Sequence, residues 1–256
     1  MEGGRRMYVF KIPFKTLKLF GLILVLAVGL LIEQRVVGSV ANLPTPIDQV
    51  KTEKKVMALT INVDWGGEFV PGILEALDKY HAKATFFLTG RWAKNNPEMV
   101  KELQARGHAI ENHGYSHPHP DQISVSANQE EILKTEAIIQ EITGTKTKYY
   151  APPYGEKGAS GLKAAENLGY TTILWTLDTV DWRPESTPEI ITKRIVDPAV
   201  RFGIKPTREG AIVLMHPKEN TVKALPNILS QLTKEGFQFI TVNELITLEG
   251  VGDTTS

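Results

Sequence analysis

The stretches VMALTI (Val56–Ile61), ATFFLTG (Ala84–Gly90) and AIVLM (Ala211–Met215) are short and almost wholly apolar. Runs of this kind need cover on both faces, which is the condition of a strand inside a parallel sheet. Segments of helical period stand between them. Pro71–Tyr80 brings Ile73, Leu74 and Leu77 to one face, and Pro97–Arg106 does the same with Met99, Val100 and Leu103. Shorter strands are predicted at His108–Ile110, Lys148–Ala151, Thr171–Trp175 and Phe237–Thr241. Further helices are predicted at Asn128–Thr143, at Gly161–Leu168, from Thr187-Pro188 onward and at Val222–Glu235. Ser126 and Gln129 have the spacing of a capping box, while Gly144 and Gly169 stand where helices stop. Alternation of this length implies an α/β chain folded as a barrel of βα units rather than an open sheet.

The polar residues that interrupt this pattern fall just past strand ends. Asp64 follows the first strand, ENHGYSHPH (Glu111–His119) the third, APPYG (Ala151–Gly155) the fourth and LDTVDW (Leu177–Trp182) the fifth, while His216 follows Ala211–Met215. In a parallel barrel the carboxyl ends of the strands meet at one mouth, so these clusters converge on one site. His113 and His117, four residues apart, can face one ion from a single turn, with Asp64 as third ligand. Asp178 and Asp181 can orient a catalytic group or cap a turn. His216 can be a general acid or a hydrogen-bonded core histidine. His81, His108 and His119 read as bystanders, and Trp92 and Trp175 as core.

The bulk properties set limits on partners and place. Lys plus Arg equal Asp plus Glu, at 29 each, so nothing in the charge favours nucleic acid. Without cysteine, a metal would have to be held by His, Asp or Glu. Arg5, Arg6, Lys11, Lys15 and Lys18 precede the apolar run Leu19–Ile32, the pattern of an export signal with Met1 left inside. Residues 1–40 are therefore expected to be a signal anchor in the membrane, the alternative being cleavage at Ser39-Val40-Ala41. Residues 41–55 read as a linker, 56–248 as the folded domain outside the membrane, and 249–256 as a disordered tail.

Taken together, the motifs resemble those of the polysaccharide deacetylases, carbohydrate esterase family 4 with its NodB homology domain, over roughly Lys54 to Leu248. His113-Gly-Tyr-Ser-His117 is similar to the motif that supplies two metal histidines, and Pro152-Pro153-Tyr154-Gly155 to the end of one that lines the substrate groove. Asp178-Thr-Val-Asp181-Trp182 is similar to a fourth motif, and Leu214-Met-His216 to a fifth whose histidine acts as general acid. The resemblance implies a distorted (β/α) barrel and a divalent ion, commonly zinc, with cobalt as an alternative. It also implies removal of N-acetyl groups from a cell-wall glycan such as peptidoglycan. GRWAKNNPEMVKELQARGH and MHPKENTVKALPNIL are similar to the branch found in spore-forming bacteria. Trp65, Tyr154 and Trp182 are then expected to stack on sugar rings.

Two positions depart from the family pattern. Where the first motif spaces its aspartates as Asp-x-Asp, the register makes Asp64 the metal ligand and puts Asn62 at the position of the base. The arginine that would hold that base is replaced by Ala151. The two losses belong together, because the arginine without its aspartate would be an unpaired charge. One expectation is a working hydrolase with a relocated base, drawn from Asp64, Glu68, Glu111 or Asp121, with Arg183 standing in for the arginine. The other is a degenerate member that binds glycan without fast hydrolysis.

Overall fold

The computed structural model describes residues 43–200 and 203–248. The predicted anchor at 1–40 and the predicted tail at 249–256 lie outside the described residues. Among those described, no helix is long and apolar enough to cross a membrane.

The strands run β1 (Val56–Val63), β2 (Ala84–Leu88), β3 (Ala109–Asn112), β4 (Tyr149–Tyr150), β5 (Thr171–Thr172), β6 (Leu177–Asp178), β7 (Ala211–Met215) and β8 (Gln238–Phe239). They form one sheet ordered β5-β4-β3-β2-β1-β7-β6, with β8 also on β1, and every ladder is parallel. The helices are α1 (Val70–Lys79), α2 (Gly90–Asn95), α3 (Pro97–Ala105), α4 (Val125–Thr143), α5 (Ala159–Asn167), α6 (Pro188–Val196), α7 (Glu219–Lys234) and α8 (Val242–Thr247). Among the described residues no ladder joins β5 to β6, so the ring of strands is not closed.

The central strand β1 explains both the core and the site. All eight of its residues are buried. Alternate side chains point to opposite faces: Met57, Leu59, Ile61 and Val63 join the main core with Ile73, Leu77, Leu225 and Leu229 of α1 and α7. Val56 and Ala58 join a second cluster with Phe87, Ile212 and Leu245. The same face continues through Thr60, whose Oγ1 donates to Val213 O at 2.9 Å, to Asn62 and then Asp64. An apolar interior thus becomes polar toward the carboxyl end.

Several boundaries differ from those expected. The stretch read as a linker already belongs to the domain at Ile47–Val50: Ile47 bridges Ile173, Gln49 bridges Ala211, and Val50 is fully buried. α4 is capped by Ser124, whose Oγ accepts from Ala127 N at 3.1 Å, not by Ser126. Gly144 does end it, in the left-handed conformation. Predicted strand Thr171–Trp175 contracts to two residues, and α2 and α8 were not anticipated because each is only six residues long.

Candidate active site

Five of the sequence clusters meet at a cavity of about 580 Å³ at the carboxyl ends of the strands. Asn62, Asp64, His113, His117, Asp178 and His216 all line it.

The histidine loop is built by partners distant in sequence. Asn112, fully buried, accepts from Gly114 N at 2.9 Å and donates to Ile132 O at 2.9 Å. Glu131 of α4 accepts from Tyr115 N at 2.9 Å and Ser116 N at 2.6 Å. His113 Nδ1 lies 2.6 Å from Ala151 O. Since a carbonyl can only accept, Nδ1 carries the proton and Nε2 keeps its lone pair. Burial, helped by the neighbouring His117, pushes His113 down to about 3, and burial also lowers His117. Both rings are therefore neutral at pH 7 and chemically able to bind a metal. Their centroids lie 5.0 Å apart, edge to face.

Asp64 is placed differently from its predicted role. Its Oδ1 accepts from Thr89 Oγ1 at 2.8 Å and Arg91 Nε at 2.7 Å, and its Oδ2 is ion-paired to the other arm of Arg91. Burial raises the Asp64 carboxyl, but the bonds from Arg91 and Thr89 and the arginine charge outweigh it, and the net direction is down. Among the described residues, no three His, Asp or Glu side chains converge to hold an ion. The donor chemistry suits zinc or cobalt, yet the carboxylate as placed serves an arginine, and the three do not fit a metal in this arrangement. Asn62 is 6% exposed and its Oδ1 has no hydrogen-bond partner. Such a buried orphan costs about 1–3 kcal/mol. Ala151 belongs to the buried cluster of Phe87, Tyr149 and Ile173, on the face of β1 that continues to Asn62, and its carbonyl accepts from His113.

On the opposite side, Asp181 Oδ1 accepts from His216 Nδ1 at 2.8 Å, and Oδ2 accepts from His216 N and Thr221 Oγ1, both at 2.7 Å. Burial raises Asp181, but these bonds and the imidazole prevail and hold it low. His216 is thereby a positioned ring facing the cavity, not a core histidine. Asp178 also lines the cavity; burial raises it, against the bond from Val180 N at 2.7 Å. The intervening turn holds Val180 at φ 50°, and His117 and Tyr154 adopt φ 58° and 60°. Left-handed non-glycine residues cost about 1–3 kcal/mol each, and such strain gathers where function demands a geometry. Arg194 of α6 supports the turn, donating to Thr179 O and Ser186 Oγ at 2.7 Å each.

Trp65, Tyr154 and Trp182 are large exposed aromatics on the rim, at 41%, 58% and 50% exposure. Trp65 stacks on His216 with centroids 5.8 Å apart, and Tyr154 stacks on His119 at 3.8 Å. Gly155 also lines the cavity, and with φ 65° an added Cβ would stand 2.4 Å from Trp175 Cη2. Trp175 packs, half-buried, against the second core cluster as expected and also forms part of the cavity wall. Three expectations need correction. His119 is no bystander, since it carries Tyr154 and bonds Glu156 at 2.6 Å. Pro153 is buried behind the lining. Arg183 stacks on Trp182 and pairs with Glu185 at 3.7 Å, so it does not replace the missing arginine. Of the relocated bases, Glu68, Glu111 and Asp121 are absent from the lining. Glu68 is exposed, Glu111 accepts from Lys148 N and Tyr149 N at 2.8 and 2.9 Å, and Asp121 accepts from Gly158 N at 2.9 Å.

Comparison with known proteins agrees with this architecture. A family model for polysaccharide deacetylase matches residues 49–173. The uncharacterised protein YlxY of Bacillus subtilis is 34% identical over 205 residues, 79% of this chain, which spans 61% of that relative's length. A peptidoglycan-N-acetylglucosamine deacetylase of Bacillus cereus is 34% identical over 194 residues, covering 74% of this chain and 67% of the enzyme. Among solved structures, a CE4 family pseudoenzyme from Bacillus anthracis superposes with TM-score 0.72 at 37% identity, covering 79% of this chain and 69% of the other. A mutant of that pseudoenzyme described as having restored enzymatic activity superposes equally well, at 35% identity and with 79% and 71% of the two chains covered. With its parallel strands, its histidine loop and its Asp181–His216 pair, the chain belongs to the polysaccharide deacetylase family, carbohydrate esterase family 4.

Proposed function

We propose that this protein is a cell-wall glycan-binding member of the family whose N-deacetylase chemistry is impaired at the base. The observation that carries this reading is the carboxylate inventory of the cavity. Its lining holds two, Asp64 and Asp178; the first is engaged by Arg91 and Thr89, and an amide stands at Asn62. An amide cannot take a proton from water, and losing a general base slows such reactions by about 10²–10⁴-fold. His216, held by Asp181, retains the geometry to protonate a departing sugar amine, and the exposed rim aromatics suit the apolar faces of N-acetylhexosamine rings. Relatives named as peptidoglycan deacetylases support peptidoglycan as the glycan. The basic and then apolar N-terminal run supports anchoring of the domain outside the membrane.

One observation favours a second reading, slow hydrolysis with Asp178 as relocated base: it lines the cavity, and burial raises its proton affinity. Both readings are tested by measuring binding to purified peptidoglycan and acetate release on one preparation of the full chain. Binding without acetate supports the first. Acetate release abolished by Asp178→Asn supports the second, and no binding at all overturns both.

A further inference from the structure

Asn62 is the penultimate residue of β1, in register with Phe87 of β2, and all eight residues of the strand are buried. Its neighbours on the inner face are both satisfied. Thr60 gives its hydroxyl to Val213 O, and Asp64 is held by Thr89 and Arg91. Between them the Asn62 oxygen is sealed in the wall without a partner, while the residue itself lines the cavity. The Nδ2 end is therefore the part of the amide turned to the cavity. An apolar side chain would fill this place in the strand and leave no polar atom unpaired. The amide is thus a cost to the fold, and a cost of that kind at a cavity wall points to a ligand.

We propose that Asn62 is a specificity residue that reads the acetylation state of the glycan: Nδ2 donates to the carbonyl oxygen of an acetamido group, so the cavity holds an N-acetylated sugar in preference to the free amine. The chemistry of the two groups decides the sense. The amide nitrogen carries two N–H donors and accepts nothing. An acetamide offers it a carbonyl oxygen, and Leu214 and Trp175 in the same wall give its methyl group apolar surface. The amine of glucosamine, largely protonated at pH 7, offers only N–H donors and leaves Nδ2 unpaired. A site built around one hydrogen bond rejects a group that cannot make it. An aspartate at this position would do the reverse, accepting from an ammonium and repelling a carbonyl. The inference deepens the glycan-binding reading above and rests on it for the ligand.

The test is calorimetric titration of the full chain with tetramers of N-acetylglucosamine and of glucosamine, acetate release being followed in parallel so that binding is read on intact ligand. Asp178 also lines the cavity and can pair with the ammonium of the second ligand, so the quantity that reports Asn62 is the change in the ratio of the two affinities. Asn62→Leu is expected to lower the ratio of acetylated to free-amine binding by about tenfold. Asn62→Asp, which keeps the shape but only accepts, is expected to lower it further, and it decides the matter if the leucine variant does not fold. An unchanged ratio in the folded variants, with both tetramers still bound, would overturn this inference and leave the glycan-binding reading standing. No binding of either tetramer by the native protein would overturn that reading and this inference with it.

Discussion

Asp181 grips His216 twice, through the ring at Nδ1 and through the backbone at N, while Thr221 holds the same carboxylate from a third side. The Asp181 side chain is fully buried, while the His216 ring keeps 19% exposure on the cavity side. On the proposed reading, His216 keeps the geometry of the proton-delivering group, whereas Asn62 leaves the position of the base without a carboxylate.

Replacing Asp181 by Asn leaves the His216 ring without its ionic partner and should destabilise the fold by about 1–3 kcal/mol at pH 7. The native carboxyl is held below its ordinary value. A depressed acid contributes stability above its unfolded value of about 3.9 and loses it as pH falls through the folded value. Melting curves from pH 7 to pH 2 should therefore show native and Asp181→Asn converging on the acid side. Parallel curves would contradict this.

Glu111 behaves in the opposite sense. Burial pushes its carboxyl up to about 7, against the opposing bonds from Tyr149 N and Lys148 N. An acid whose folded value is raised binds more protons when folded, so stability falls as pH rises from about 4.5 to about 7. Glu111→Gln keeps an oxygen for both amides and removes the charge. It should flatten that slope and raise stability above pH 7 by roughly 3 kcal/mol at most. An unchanged slope in denaturant titrations would show that Glu111 is not its source.

Gly66 lies at φ 74°, and an added Cβ would stand 2.2 Å from the carbonyl oxygen of Pro217. Because the obstacle is backbone next to His216, the loop carrying Trp65 must lift. Gly66→Ala should cost about 1–3 kcal/mol from backbone strain alone and should also weaken binding of N-acetylglucosamine oligomers. Thermal melts together with calorimetric titration check both parts, and a variant with native stability would remove the steric basis.

What the sequence disclosed followed from local physics. The apolar run of β1 marked a strand covered on both faces, and the position of Asp64, His113, His117, Asp178 and His216 just past strand ends was enough to bring them to one mouth. Long-range side-chain partners were not legible. Arg91 sits on a six-residue helix in a run that looks like an ordinary solvated surface, and nothing local says that its guanidinium reaches Asp64. Glu131 lies inside a long amphipathic helix, where a glutamate is usual, yet it ties down the backbone of Tyr115 and Ser116. Trp175 reads as core and does pack against the second cluster, but that β5 stops at Thr172 and leaves part of the indole in the cavity wall has no local signal. Ile47–Val50 looked like a linker because a bridge of single residue pairs has no period to detect.

The most direct test of the missing base is to restore it. Asn62→Asp places a carboxylate on the inner face of β1, and Ala151→Arg supplies a partner, so the two changes should act together and each alone should do little. Acetate release from N-acetylglucosamine oligomers and peptidoglycan, measured with zinc or cobalt supplied, should rise about 10²–10⁴-fold in the double variant over the native protein. Native turnover equal to that of the folded double variant would contradict the reading that Asn62 disables hydrolysis.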